Sequence, residues 1–219
     1  DAQESRGLGD VYKRQITGTT ANLTKNGAGK LTLGGANTFD GAIVVNTGTL
    51  TAASAAAFGT TVGDTVVANG AALEFQGGAN VAAEAVTLGG TGVGATGALR
   101  NLSGANSFAG TVTLSGDTLV QSDAGTLTLS GATAIAAGSR ALTFGGAGNV
   151  VVAGAITGAS ATVTKVGVGT LTLSGVNGFA STLINAGTVT LGVADALVAS
   201  SSLTAVSYTH LTLPTILRV

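Results

Sequence analysis

Few side chains in this 219-residue chain could do chemistry. There is no Cys, which excludes thiolate metal sites, Cys nucleophiles and disulfides. The single His, His210, accompanies no G-x-S-x-G motif, so we expect no serine hydrolase. The acids between residues 16 and 205 are Asp40, Asp64, Glu74, Glu84, Asp117, Asp123 and Asp195. The bases there are Lys25, Lys30, Arg100, Arg140 and Lys165.

These charged residues stand singly in the sequence. A polysaccharide lyase or hydrolase needs several acids with Lys or Arg in one groove. A metal site needs clustered His or carboxylate ligands, and the calcium-binding repeat G-G-x-G-x-D is missing. The spacing therefore predicts no active groove, no metal site and no cofactor. We expect the acids to be solvated residues of turns and strand faces.

Two glycine-rich segments resemble nucleotide-binding loops. Gly-Ala-Gly-Lys at 27–30 is similar to the end of a phosphate-binding loop. The loop would need a Gly where Thr24 stands and a Ser or Thr where Leu31 stands. Segment 90–94 has alternating glycines but no helical pattern behind it. We therefore expect both segments to be turns.

The composition points to a packed core and away from several partners. Hydrophobic residues make up 45% of the chain and charged residues only 9%, a balance that argues against disorder. The net charge of −1 provides no basic surface for nucleic acid. No apolar run is long enough for a membrane helix, so we expect no membrane insertion of this segment. We also expect that a secreted form would carry a signal peptide ahead of this chain.

Composition shifts sharply at the two ends, 1–15 and 206–219. They contain six charges before residue 16, and also Tyr12, Tyr208, His210 and Pro214. The strings at 7–15 and 206–215 resemble translated sequencing-adapter read-through. The alternative is that each end is a capping segment of the kind that repeat proteins require. We base the functional interpretation on 16–205.

Residues 16–205 contain short alternating segments separated by Gly, Asn, Asp and Ser. Segments 30–33, 126–129 and 170–173 alternate Leu with Thr or Lys, which is the two-residue period of a β-strand. Branched Thr and Val side chains suit a pleated surface, and almost nothing has a helical pattern. The sequence therefore predicts an all-β fold.

The alternating segments belong to a longer repeat. Residues 23–39 return as 163–179, and a weaker copy begins at residue 102. Five Phe residues fall at 39, 75, 108, 144 and 179, with spacings of 36, 33, 36 and 35. Such spacing predicts a parallel β-solenoid in which equivalent positions stack. About 35 residues would be one long coil or two short coils.

The positions that the copies share are expected to be structural. They are Lys25, Gly29, Leu31, Leu33, Asn37, Phe39 and Gly48, then Phe108, then Lys165, Gly169, Leu171, Leu173, Asn177, Phe179 and Gly187. The shared pattern is Thr-Lys-x-Gly-x-Gly-Thr-Leu-Thr-Leu-Ser-Gly-x-Asn-x-Phe, followed by Ile-Asn-Ala-Gly-Thr-Val. This pattern resembles the autotransporter-associated β-strand repeat, also called the passenger-associated transport repeat.

The resemblance implies a right-handed parallel β-helix in the passenger of a type V secretion protein. It implies export to the cell surface by a C-terminal translocator β-barrel of the same polypeptide, which lies outside this chain. The family repeat has no catalytic residues. The function expected from this resemblance is a structural stalk segment that aids its own export and surface display.

Three other functions stay open. The solenoid faces could bind glycans, as in an adhesin, or could bind ice, and a lyase or hydrolase is the enzymatic alternative. Thr-x-Thr triplets begin at residues 49, 111, 126, 162, 170 and 188. A regular array of Thr could match an ordered surface, but these intervals are irregular. The sequence therefore predicts outward Thr side chains without a single array.

Overall fold

The chain forms a long stack of parallel β-strands. The computed structural model describes residues 10–12, 15–198, 201–206 and 210–212. Within them every strand pairing is parallel, and the helical content is one 3₁₀ turn, Val93–Ala95. The strands build a β-solenoid of about nine turns. The prediction of an all-β parallel solenoid is confirmed.

The strands are short because turns of Gly, Asn and Asp interrupt them every few residues. In chain order they are β1 (Asp10–Tyr12), β2 (Thr17–Gly18), β3 (Leu23–Lys25), β4 (Lys30–Leu33), β5 (Thr38–Phe39), β6 (Ile43–Val45), β7 (Thr49–Ala52), β8 (Thr65–Val67), β9 (Ala72–Phe75), β10 (Asn80–Val81), β11 (Val86–Gly90), β12 (Leu99–Asn101), β13 (Ala105–Phe108), β14 (Val112–Ser122), β15 (Thr126–Leu129), β16 (Thr133–Ala136), β17 (Ala141–Gly145), β18 (Asn149–Val152), β19 (Ala155–Lys165), β20 (Thr170–Leu173), β21 (Gly178–Ile184), β22 (Thr188–Leu191), β23 (Ser202–Ala205) and β24 (His210–Thr212).

Each coil has three faces, which follow one another along the chain. Face 1 consists of β3, β6, β8, β11, β16 and the first parts of β14, β19 and β21. Face 2 consists of β1, β4, β7, β9, β12, β17, β23 and the last parts of those three long strands. Face 3 consists of β2, β5, β10, β13, β15, β18, β20, β22 and β24. The long strands make faces 1 and 2 one 15-stranded sheet, whereas face 3 is a seven-stranded sheet and the pair β2–β5.

Coil length varies while the register stays continuous. Leu173 pairs with Leu191 in the next coil, whereas Val81 pairs with Phe108, so the second of these coils is much the longer. Turns absorb the extra residues, since a loop of a few added residues costs little conformational free energy. Inward-facing side chains therefore stack in ladders even where the sequence intervals are uneven.

The five regularly spaced Phe residues are all buried, but they do not form one ladder. Phe39 and Phe108 lie on face 3, whereas Phe75 and Phe144 lie on face 2. The expectation that the Phe spacing makes one or two coils is wrong. A face with its corner takes about seven residues, so about 35 residues advance about five faces of a three-faced coil. The Phe rings meet across the core instead, as with Phe75 and Phe108, whose ring centroids are 6.0 Å apart.

The two end segments continue the sheets where they are described. Most of 1–15 and 206–219, including Tyr208 and Pro214, lies outside the described residues. Strand β1 pairs in parallel with β4, and β24 pairs with β22. Both ends therefore add a strand to an open face of the stack. Their origin, as adapter read-through or as caps, stays a prediction.

Candidate functional site

The repeat motif builds a lysine-capped corner. Lys25 ends β3, and its ammonium turns into the corner that follows. Its Nζ donates hydrogen bonds to the carbonyl oxygens of Asn26 at 2.9 Å, Gly27 at 2.6 Å and Thr47 at 3.1 Å. Thr47 belongs to the next coil, so one ammonium holds two successive corners together. The segment 27–30, which resembles a phosphate loop, thus presents carbonyl oxygens to a cation and not amide groups to an anion.

The second copy of the motif, which begins at residue 163, builds the same corner. Lys165 ends β19 and donates to the carbonyl oxygens of Val166 at 2.8 Å, Gly167 at 2.7 Å and, one coil on, Ala186 at 3.4 Å. Lys25 lies on face 1 and Lys165 on face 2. The motif therefore specifies a corner wherever it falls around the solenoid.

Gly48 and Gly187 close these corners from the following coil. Both have positive φ, 72° and 75°, a conformation that favours glycine. A Cβ on either would lie 2.7 Å from the Nζ of its lysine and still closer to corner carbonyl oxygens. Gly169 is also confined, because an added Cβ would clash with the carbonyl oxygen of Gly148. Gly29 is different: an added Cβ would meet nothing within 4 Å.

Both lysines are buried and lack a carboxylate partner among the described residues. Lys25 is 6% exposed and Lys165 is 3% exposed. Burial lowers the pKa of Lys165 to about 8 and also lowers the pKa of Lys25. The carbonyl dipoles of the corner are the groups that solvate each cation in place of water.

Asparagines of the motif bridge three coils. The amide oxygen of Asn37 accepts from Ile16 N at 2.9 Å, and its Nδ2 donates to Ala57 O at 2.7 Å. Ile16 is one coil before Asn37 and Ala57 is one coil after. Asn177 repeats the arrangement with Ile156 N and Ala196 O, both at 2.7 Å.

The weaker middle copy contains a variant of this bridge. The amide oxygen of Asn106 accepts from Ala79 N in the preceding coil at 2.7 Å. Its Nδ2 donates within its own coil, to Asn101 Oδ1 at 2.5 Å and Ser103 O at 2.8 Å. The backward link is therefore kept, and the forward link is made by Asn101, whose Nδ2 donates to Ala124 O at 2.8 Å.

The apolar motif residues fill the interior beside these polar links. The fully buried ones are Leu33, Phe39, Phe108, Leu171, Leu173 and Phe179. Leu31 is partly buried against the same core. The structure thus distributes the shared positions into corners, coil bridges and core ladders and does not gather them into a pocket.

The structure does bring together charges that the sequence separates, which corrects the expectation that they stand singly. Glu74 Oε2 lies 2.6 Å from Lys30 Nζ, and Glu74 Oε1 lies 3.1 Å from Arg100 Nη1. Arg100 also binds Asp123, with Nε 2.8 Å from Oδ2. Gln121 Nε2 donates to the other Asp123 oxygen at 2.7 Å. We call Lys30, Glu74, Arg100 and Asp123 the charge cluster.

The β-register explains the charge cluster. Glu74 pairs with Arg100 and Arg100 with Gln121 along the outer side of face 2. These residues are far apart in the sequence and become neighbours because they occupy equivalent positions of adjacent coils. The irregular coil lengths hid this contact in the sequence, and only a correct count of faces could have found it.

One further titratable group lies inside the fold. Glu84 is 3% exposed and accepts a short hydrogen bond from Thr65 Oγ1. Burial raises the pKa of Glu84 to about 7; the Thr65 hydrogen bond opposes this shift and the nearby Asp64 charge adds to it. The sequence analysis assigned this acid to a solvated turn, and that expectation is wrong.

The described residues contain no group of three or more His, Asp or Glu side chains that could hold a metal ion. The same residues form no helix long and apolar enough to cross a membrane.

A parallel solenoid with repeated lysine corners and asparagine bridges defines a class: an extended repeat protein whose motif serves the stacking of coils. The sequence model of the passenger-associated-transport-repeat family matches residues 23–52, 101–117, 119–156 and 163–191, just over half of the chain. The chain belongs to this family and is an autotransporter passenger repeat region. The family is one of passenger repeats and is not an enzyme family.

A curated relative agrees with this assignment. The chain is 44% identical over 69 residues to the adhesin BmaC autotransporter of Brucella suis biovar 1 (strain 1330). The match covers 32% of this chain and 2% of the adhesin. No solved structure gives a significant match.

Proposed function

We propose that this segment is a structural stalk in the passenger of a secreted autotransporter, which aids its own export and surface display. The protein would be anchored in the outer membrane by a C-terminal translocator domain of the same polypeptide, as the family and the adhesin relative suggest. The observation that supports the stalk most directly is the pair of asparagine bridges. Asn37 and Asn177 each bind the coil before and the coil after.

These bridges suit folding that proceeds from one coil to the next. A finished coil leaves one edge of each face unpaired, together with corner and asparagine groups that need partners. The next coil satisfies them and buries its own Leu and Phe side chains, so its addition is favourable. Folding outside the cell would then draw out the remaining chain and oppose its return.

A disulfide that closes one coil tests whether the chain is exported unfolded. The natural chain has no Cys, so an introduced pair has no competitor. Thr113 and Ala136 are register partners on face 1, one coil apart. In the complete protein, we expect Thr113→Cys with Ala136→Cys to block surface display when the periplasm is oxidising.

Each single Cys variant is the matched control and should be displayed normally, as should the pair when reductant is present. Display of the oxidised pair at the level of the natural protein would contradict export of an unfolded chain. Reading the native locus past residues 15 and 206 is a separate test. A signal peptide and a translocator domain are the expected finding, and their absence would contradict the secretion proposal.

An adhesin that binds host or surface glycans is a second candidate, favoured by the name of the relative in Brucella suis. A glycan array probed with the folded chain tests it directly. A polysaccharide lyase or hydrolase is less well supported. In the charge cluster, the Glu74 side chain is only 3% exposed, and the carboxylates of both Glu74 and Asp123 are engaged by basic side chains.

A further inference from the structure

Face 3 carries an aligned array of small uncharged side chains that the sequence intervals conceal. Three of the six Thr-x-Thr triplets lie here, at 126–128, 170–172 and 188–190, in β15, β20 and β22. These strands alternate half-buried Thr with buried Leu or Val, so their Thr side chains point outward. The expectation that the triplets form no array is therefore wrong.

The register places the outward side chains in two rows across five coils. The first row is Ser107, Thr128, Val151, Thr172 and Thr190. The second row is Ala105, Thr126, Asn149, Thr170 and Thr188. We call these ten side chains the threonine face. The sequence intervals between the three triplets are unequal because the first interval is two coils and the second is one.

The geometry of parallel strands fixes the spacing of the array. Neighbouring strands lie about 4.8 Å apart, and alternate residues of one strand lie about 6.6 Å apart. In a tetrahedral water network with hydrogen bonds of about 2.8 Å, second-neighbour oxygens lie about 4.6 Å apart. Hydroxyls in one row of the face thus repeat at nearly the interval of oxygens in ordered water.

The chemistry of the threonine face also suits an ordered water surface. It carries no charge, and a charged group would hold water in its own hydration shell. The hydroxyls of Thr128, Thr172 and Thr190 make no side-chain hydrogen bond to another described residue. Each Thr adds a methyl group beside its hydroxyl, so apolar contact and hydrogen bonding alternate at the surface. No aromatic side chain lies in either row, although aromatic side chains are common anchors in binding sites.

We propose that the threonine face binds ice, through water molecules held in register by the Thr rows. Face 2 does not offer this surface, because its outer side contains the charge cluster. Face 1 does not offer it either, since its outward positions form one row of mixed Thr, Val and Ala: Thr24, Val44, Val66, Thr87, Thr113, Ala136 and Thr157. The proposal is independent of the stalk function.

The test is inhibition of ice recrystallisation by the full chain, compared with serum albumin at equal concentration. Thr172 lies between Val151 and Thr190, in the upper part of the first row. We expect Thr172→Lys to reduce inhibition at least tenfold, because the ammonium would displace the ordered water. Thr113→Lys, on the exposed part of face 1, is the matched control and should leave inhibition unchanged. Circular dichroism must show the same β content and melting temperature in all three proteins.

Several results would overturn the proposal. The natural chain could be no more active than albumin, or the two Lys variants could lose activity equally. Binding of a glycan, or dimer formation, that Thr172→Lys abolishes while ice growth is unaffected would assign the face to that partner instead. Surface display of the complete protein reports on the stalk, so normal display without ice activity would contradict this proposal alone.

Discussion

The α-carbon of Gly187 faces the ammonium of Lys165, so a Cβ added to Gly187 would lie 2.7 Å from Nζ. Gly48 stands in the same relation to Lys25, also at 2.7 Å. In each copy of the motif the lysine and the glycine come from successive coils. Their pairing means that a corner is complete only when the next coil has been laid over it.

We expect Gly187→Ala to destabilise the fold by about 3 kcal/mol. The Ala would adopt an unfavourable positive φ and would press on the buried ammonium and on the carbonyl oxygens of Gly167 and Gly169. The urea midpoint and amide hydrogen exchange around Lys165 measure the effect. Gly29→Ala is the matched control, with an expected change below about 1 kcal/mol, because a Cβ there meets nothing. Equal losses in the two variants would show that the lysine contact does not set the requirement.

Glu84 predicts how stability depends on pH. Its pKa in the fold is about 7, above the ordinary value of 4.5, so the folded state retains a proton that the unfolded state has released. The stabilisation is full below pH 4.5 and is lost as pH rises through 7, by about 2 to 3 kcal/mol in total.

Glu84→Gln should remove this loss, because the amide can still accept from Thr65 and does not ionise. Urea denaturation between pH 4.5 and pH 8.5 measures the difference between the variant and the natural chain. Asp64→Asn is the matched control: Asp64 is exposed, so most of the pH dependence should persist. A natural chain whose stability does not fall over this range would contradict the buried, protonated carboxyl.

The bridge made by Asn177 predicts a local loss of stability on both sides of its coil. Asn177→Ala leaves Ile156 N and Ala196 O without their partner in a buried environment, at a cost of about 2 to 4 kcal/mol. Hydrogen exchange at Ile156 should accelerate, since that amide loses its acceptor. Asn185→Ala, at an exposed position, should leave exchange at Ile156 unchanged. Protection of Ile156 that survives Asn177→Ala would exclude the bridge.

The sequence predicts the fold class of this chain well and its charge contacts poorly, for one physical reason. Alternation at 30–33 and 170–173 and the repeated Lys-x-Gly-x-Gly pattern are local signals, and they are enough to predict strands, turns and a solenoid. Contacts between coils depend on how many residues each coil takes, and this number differs widely from coil to coil. Glu74 and Arg100 become neighbours only after each coil has been counted correctly, and the same holds for the rows of the threonine face.

The corner lysines show a second limit of the sequence. Their repetition marks Lys25 and Lys165 as structural positions, but a charged side chain normally indicates a solvated face. Burial becomes understandable only when carbonyl oxygens of two coils are seen to surround each Nζ. The glycines Gly48 and Gly187 were recognised as repeated positions, and the reason for them is this same contact.

The charge cluster predicts strong coupling between Glu74 and Arg100. Arg100→Met leaves Glu74, whose side chain is 3% exposed, with Lys30 as its remaining basic partner, and it leaves Asp123 without the guanidinium. We expect a loss of about 2 to 4 kcal/mol, because a buried carboxylate then lacks most of its compensation. Glu74→Gln in the same chain should recover part of that loss by removing the buried charge. A double-mutant cycle from urea denaturation should give a coupling energy of about 1 to 3 kcal/mol. Arg140→Met, at an exposed Arg, should change stability by less than about 0.5 kcal/mol. Additive effects of Arg100→Met and Glu74→Gln would mean that the two side chains do not stabilise face 2 as a pair.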